Sequence, residues 1–276
     1  MPQNARIFYA KLVVGQGGSS NKRLLEAFSR IERERFLGKG PWHILAGDHF
    51  IETPSDDPRW LQQDVLVAIA PDRGINNGQP SLHARCLAAC APREAEVVLH
   101  IGVGTGYYTA ILAEMVGPTG AVIAYEIDEE LAARARESLA PWKNVTVIAA
   151  NAMTGPLPTC DVIYVNAGAT HPLPSWLDAL AIGGRLVFPM TTDDGKGFML
   201  LIGRWRANDY TAACLAWVRF FPCTGARDPR CARSLAEAMA RSSPWLVRSL
   251  HRGDQRGAGV WCAGDGWWLS TEAPIV

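Results

Sequence analysis

Residues 97–107 read Val97-Val98-Leu99-His100-Ile101-Gly102-Val103-Gly104-Thr105-Gly106-Tyr107, an aliphatic run closed by glycines at alternate positions. A short β-branched and aliphatic run that ends on glycine predicts a strand, and the stretch GYYTAILAEMVG behind it carries helical periodicity. Glycine lets the main chain turn sharply and lets a ligand lie against bare backbone. The helix that follows offers free N–H groups to an anion. Glycines after a strand also serve tight turns for steric reasons alone, so the surrounding sequence has to decide between the two uses.

Downstream, AVIAYEI is a second strand-like run, DEELAARARESLA a second helix, and NVTVIAAN, CDVIYVNAG and RLVFPM three further strands, with the helix-like LPSWLDALAIGG before the last. Alternation of this kind from Ala95 to Met190 predicts an α/β fold, a Rossmann-like doubly wound and mostly parallel sheet with helices on both faces. GFMLLIGRWR and YTAACLAWVRFF, separated by the turn-forming Ala207-Asn208-Asp209, predict an antiparallel pair at the sheet edge.

Upstream, Leu24, Leu25, Phe28, Ile31 and Phe36 predict one amphipathic helix over 21–37 that ends at Gly38 and Gly40. Residues 40–59 read as an irregular surface connection. A helix is predicted over 80–91, with Pro80 in its first turn. Beyond Arg227 the chain is rich in arginine and ends in Trp261, Trp267 and Trp268, with a helical patch in SLAEAMARSSPWLVRSL. Such a tail is either a binding surface with aromatic anchors or a packed extension that covers a sheet edge. The expected division is 1–94, an N-terminal helical region; 95–226, the ligand-binding Rossmann-like domain; and 227–276, a C-terminal extension.

With 27 basic and 27 acidic residues the chain carries no net field to draw nucleic acid or an anionic membrane. Neither a membrane-length apolar stretch nor a secretory leader is legible, and the seven cysteines form no paired C-x-x-C knuckles, so a cytoplasmic protein with reduced thiols is expected. His83, Cys86 and Cys90 share one helix face, a spacing open to a metal but equally that of any core-facing stripe. The burial preference of cysteine favours the stripe, and no metal is expected.

Glu126 closes the second strand about twenty residues after Gly106, where a nucleotide-binding fold places an acid to accept both ribose hydroxyls. The plainer alternative is a solvated strand-end carboxylate. Dinucleotide fingerprints space their glycines G-x-G-x-x-G, and the G-x-G-x-G here departs from that pattern, which points away from a nicotinamide dehydrogenase.

The chain from Leu24 to Pro222 resembles the protein L-isoaspartyl O-methyltransferase family. The likeness is carried by Arg33-Glu34-Arg35-Phe36, Gln79-Pro80, VVLHIGVGTGYYTAILAEMVG, CDVIYVNAGATHPLPSWLDALAIGGRLVFPM and VRFFPCTG. The resemblance implies transfer of a methyl group from S-adenosylmethionine to a carboxylate of a peptide or protein, leaving S-adenosylhomocysteine. It implies that Gly102, Val103, Gly104 and Gly106 wrap the methionyl part, with His100 and Tyr107 beside them. Glu126 with Ile127 would take the ribose, and Asn151 with Ala152 the adenine edge. Asn76, Asn77, Gly78, Gln79 and Pro80 would form the acceptor loop, in which Asn77, Gly78 and Gln79 occupy the catalytic positions, and Phe221 and Pro222 another wall of the acceptor pocket.

Three positions depart from the family pattern, which has an acid where His100 stands, an aspartate at Asn151 and a serine at Gly78. The loss of the serine bears on the choice of acceptor more than on methyl transfer, and Asn77 and Gln79 are expected to orient the acceptor in its stead. His100 is open to a second interpretation, as a hydrogen-bonded strand-end residue. A non-catalytic relative that binds S-adenosylmethionine or scaffolds a partner is the competing class.

Overall fold

The computed structural model describes residues 3–253 and 257–274. Its elements, in chain order, begin with helices α1 (Gln3–Gln16) and α2 (Lys22–Arg30), strands β1 (His43–Ala46), β2 (His49–Glu52), β3 (Ala68–Ala70) and β4 (Ile75–Asn76), and helix α3 (Pro80–Cys90). There follow β5 (Val97–Ile101), α4 (Tyr107–Val116), β6 (Ala121–Glu126), α5 (Glu129–Leu139), β7 (Val145–Ala149), β8 (Cys160–Val165), α6 (Pro174–Ala179) and β9 (Leu180–Thr191). The chain closes with β10 (Lys196–Arg204), β11 (Tyr210–Arg219), α7 (Pro229–Arg241), β12 (Ser249–Arg252), β13 (Val260–Gly264) and β14 (Trp267–Ser270).

These elements gather into two compact units. The first comprises the chain up to Glu96 together with Val103–Ala150, the second Val97–Gly102 together with the chain from Asn151 on. The boundaries therefore fall after Glu96, inside the glycine loop after Gly102, and after Ala150.

In the first unit, β6 and β7 pair in parallel from Val122↔Val145 to Glu126↔Ala149. Asp128 starts α5 by accepting the Leu131 N–H at 2.9 Å, and the side chain of Asn21 does the same for α2. The predicted helix over 21–37 is broken: α2 stops at Arg30, Ile31 turns extended, and Arg33–Phe36 forms a 3₁₀ turn. The apolar spacing survives the break because Phe28, Ile31 and Phe36 are buried on both sides of it. The segment 40–59 is also more structured than its composition suggests. It carries the β1–β2 hairpin, and Trp42 joins a core cluster with Leu37, Leu61, Val67, Ile69 and Leu131. Helix α1 shows no clean apolar period in its sequence, because Phe8 on its outer face, 68% exposed, blurs the buried stripe of Tyr9, Ala10, Val13 and Val14.

In the second unit, β5 and β8 are parallel (Ile101↔Val165), as are β8 and β9, while β9, β10 and β11 are antiparallel. The predicted edge pair is thus β10–β11. The tail continues it: β12 pairs with β11 at Thr211↔Ser249, and the order in this unit is β13-β14-β12-β11-β10-β9-β8-β5. Trp261, Trp267 and Trp268 are buried, so the tryptophans act as core and the tail covers the edge of β11 near Tyr210. Its helix lies earlier than the predicted patch, because Asp228 caps the Arg230 and Cys231 N–H groups and Pro244 cannot continue a helix. Among the described residues no helix is long and apolar enough to cross a membrane.

Candidate functional site

In the first unit the glycine loop meets the end of β6. Glu126 is its last residue and only 6% exposed. Its Oε2 accepts the Gly104 N–H at 2.6 Å and its Oε1 the Asp128 N–H at 3.1 Å. Burial pushes its pKa above the ordinary carboxylate value, and the main-chain N–H groups of Asp128 and Gly104 offset part of the rise. A carboxylate has about four lone-pair sites, so two remain for hydroxyl donors.

Gly104 sits at φ +59°, and a Cβ there would lie 3.1 Å from Ile69 Cδ1. Gly106, the N-cap of α4 at φ +98°, would place a Cβ 2.7 Å from Leu139 Cδ1. Both positions therefore need glycine on two counts, left-handed backbone and filled space. Val103 is buried and accepts the Gly106 N–H at 3.1 Å. The Tyr107 ring packs edge-on against Phe28 and tilted against Phe36, which leaves only its main chain to the loop. Ile127 stands out at 53% exposure.

The loop 76–80, also in the first unit, is held from beneath. Asn76 Oδ1 accepts the Gly78 N–H at 2.9 Å and closes a turn in which Gly78 adopts φ +73°. The Tyr108 hydroxyl donates to the Gly78 carbonyl at 3.3 Å, and the His83 ring stacks on Tyr108 with centroids 3.7 Å apart. A Cβ built on Gly78 would fall inside the contact distance of His83 Nε2. His83 thus occupies the space that a serine side chain at 78 would need.

Asn77 donates its N–H to Val67 O at 2.9 Å, and its Oδ1 accepts from Val67 N at 3.0 Å and Arg33 Nη2 at 3.3 Å. Its buried Nδ2 has no partner. Gln79 Nε2 donates to Asp64 Oδ2 at 2.8 Å, and Asp64 also accepts from Ser81 N and Ser81 Oγ, capping α3 after Pro80. Asn77 and Gln79 therefore hold the loop, and of the two only Asn77 keeps a buried donor in reserve.

Arg33 is 1% exposed and donates to Leu61 O, Gln63 O and Val65 O as well as to Asn77, with the Tyr9 and Tyr107 rings about it. Nothing in the sequence pattern marks Arg33 or Asp64 as loop anchors, whereas His83 belongs to the core-facing stripe of α3 that the spacing predicts, and is buried there. The one available signal was an arginine two residues from Ile31 in an apolar pattern. Among the described residues no group of three His, Cys, Asp or Glu is placed to hold a metal, and Cys86 and Cys90 are buried in α3.

In the second unit, His100 is fully buried in β5, and burial lowers its pKa to about 3, so the ring is neutral at physiological pH. Its Nε2 accepts from Asn166 Nδ2 at 2.9 Å. Asn166, just after β8, donates its N–H to Ile101 O at 2.8 Å, and its Oδ1 is buried without a partner. Gly102 has φ +77°, and a Cβ on it would lie 3.3 Å from Asn166 C.

Asn151 Oδ1 accepts the Met153 N–H at 2.9 Å, and its carbonyl accepts from Thr154, a turn that buries Ala152. One lone pair of the amide oxygen is then left for a ligand. Phe221 and Pro222 lie beyond β11, where Gly168 N donates to Phe221 O at 2.7 Å and the Phe221 ring is 52% exposed.

A family model described as Protein-L-isoaspartate(D-aspartate) O-methyltransferase (PCMT) matches residues 11–228. A protein-L-isoaspartate O-methyltransferase of Methanothermobacter thermautotrophicus is 36% identical over 214 residues, which is 76% of this chain and 90% of that protein. The protein-L-isoaspartate O-methyltransferase 2 of Marinobacter nauticus is 33% identical over 212 residues, 75% of this chain and 87% of its own. In fold, the chain superposes with a TM-score of 0.64 on a Plasmodium falciparum protein described as a putative protein-L-isoaspartate O-methyltransferase in complex with S-adenosyl-L-homocysteine. The two are 18% identical, and the match covers 80% of this chain and 98% of that one.

Proposed function

Because the chain belongs to the protein-L-isoaspartate(D-aspartate) O-methyltransferase family, we propose that it transfers the methyl group of S-adenosylmethionine to a carboxylate of a peptide or protein. The observation that carries the proposal is the buried Glu126 carboxylate bonded to the Gly104 N–H at the end of β6. A buried carboxylate with lone pairs to spare, bonded to the main chain of a residue that carries no side chain, fits a ligand that lies on backbone and brings its own donors.

S-adenosylmethionine supplies an activated methyl with its own leaving group, and a carboxylate is already a nucleophile at neutral pH. The protein's task is therefore alignment rather than proton transfer. Gly102, Val103, Gly104, Gly106 and the main chain of Tyr107 are assigned to the methionyl part. Glu126 takes the ribose, with Ile127 as an apolar face beside it, and Asn151 with Ala152 takes the adenine edge. In the acceptor loop the unpartnered Asn77 Nδ2 supplies a donor for the incoming carboxylate, with Asn76, Gly78, Gln79 and Pro80 as its frame and Phe221 and Pro222 as a further wall. A single neutral donor suits the chemistry: the nucleophile loses charge as it reacts, so strong ground-state binding would slow it.

His83 in the place of a serine side chain favours an acceptor other than an isoaspartyl residue. Seven free cysteines support a reducing compartment, the cytoplasm. Titration with S-adenosylhomocysteine is expected to show binding, and a methyl-release assay on an isoaspartyl peptide only weak turnover. Absence of binding would refute the proposal; binding with no methyl transfer to any carboxylate peptide would favour the non-catalytic alternative.

Glu126 must be ionised to accept two hydroxyls. Affinity for S-adenosylhomocysteine is expected to fall as pH drops through its raised pKa, which lies above the ordinary carboxylate range. Folding moves the other way. The folded state holds its proton more tightly than the unfolded chain, so protonation of Glu126 in that window raises stability, and lost affinity is not unfolding. Glu126→Gln should weaken binding at neutral pH by on the order of tenfold or more, as expected for hydrogen bonds to a charged group, and flatten the pH slope. A slope that persists in the variant would assign it to another residue.

A further inference from the structure

The carboxyl ends of parallel strands are where open α/β sheets bind ligands, and in the second unit those of β5 and β8 lie in register at Ile101↔Val165. Asn166 stands there with its main chain locked to Ile101 O. Its amide nitrogen faces the His100 lone pair at 2.9 Å, so Oδ1 points away from the ring, buried and without a donor. An acceptor left unpaired in a protein interior is costly and rare, and calls for an explanation such as an absent ligand. Gly102 adjoins it, bare of a side chain and in the left-handed region, where any Cβ would press on Asn166.

The cofactor assigned under Proposed function carries an ammonium on its amino-acid end, a group that only donates. No negative charge is available from His100, which is neutral. We infer that Asn166 Oδ1, held in place by His100, is the acceptor for that ammonium, an ion–dipole contact where a carboxylate would make an ion pair. The inference rests on the assignment of S-adenosylmethionine as cofactor.

The test is calorimetric and needs no turnover. The 276-residue chain is titrated with S-adenosylhomocysteine and with its deaminated analogue, in which hydrogen replaces the amino group. The wild type is expected to prefer S-adenosylhomocysteine by about tenfold, the scale of one charge-assisted hydrogen bond. Asn166→Ala should bring that ratio close to one while leaving affinity for the deaminated analogue nearly unchanged, which also shows that the variant is folded. Asn166→Asp should widen the ratio. An unchanged ratio in Asn166→Ala overturns the inference and leaves the cofactor assignment standing. A wild type that binds neither compound overturns both.

Discussion

Arg33→Met is expected to lower the unfolding midpoint by about 6–12 °C. The side chain is buried, and its donors serve the carbonyls of Leu61, Gln63 and Val65 together with Asn77 Oδ1. Methionine fills much of the space but donates nothing, and three carbonyls fixed in the main chain cannot be replaced by apolar groups. A buried acceptor left unpaired costs about 1–3 kcal/mol; the bond to Leu61 O is buried, while the Gln63 and Val65 carbonyls are half-buried and recover part of the loss from water. Relief of the desolvated cation returns part of that, so the net loss is about 3 kcal/mol. At about 2–4 °C per kcal/mol for a chain of this size class, the shift in midpoint follows. Arg33→Lys should fall between, because one ammonium cannot span three carbonyls. A thermal melt followed by circular dichroism checks this, and a drop under about 2 °C, within the range of an ordinary surface substitution, would mean that Arg33 does not carry the loops. The functional consequence is specific: the cation ties the 61–65 segment to Asn77, so the acceptor loop should lose its order before the glycine loop does.

The second large effect concerns the position where the family serine is missing. Gly78→Ser forces a Cβ onto a left-handed residue, at a cost of about 1–2 kcal/mol, and drives it into His83. That ring is buried against Tyr108 and cannot swing aside freely. The single variant is expected to melt well below the wild type and to lose most of its methyl transfer. His83→Ala alone forfeits the stacked pair, about 0.5–1.5 kcal/mol. In the double variant the conflict is gone, and the two effects should fall short of additivity by about 1 kcal/mol or more, as for residues in contact. With the hydroxyl restored and the imidazole removed, turnover on an isoaspartyl peptide should rise relative to Gly78→Ser. Strictly additive melting shifts would show that the ring and the loop are independent, and His83 would then have no hold on the choice of acceptor.

The two substitutions act on one loop from opposite sides. Asn76 and Asn77 fold it, Arg33 and Asp64 anchor it, and His83 fills the cavity that glycine leaves. This arrangement also limits what Gln79 contributes, since one of its amide N–H groups is already spent on Asp64.

What was legible in the sequence was local. The aliphatic run 97–101, the glycines, the periodicity of 107–116 and the acid at 126 marked β5, α4 and β6 and the residues assigned to the cofactor, because strand and helix periods and the steric demand for glycine act over a few residues. The turn trio 207–209 marked the β10–β11 pair for the same reason. Tertiary structure alone decided that the predicted helix over 21–37 breaks at Ile31, that the tail's tryptophans are core, and that His83 stands where a serine would. It also decided that Arg33 meets Asn77, 44 positions away, and that His100 meets Asn166, 66 away. Partners at such separations are chosen by which buried donors and acceptors the packing brings within reach, and no spacing along the chain records that choice.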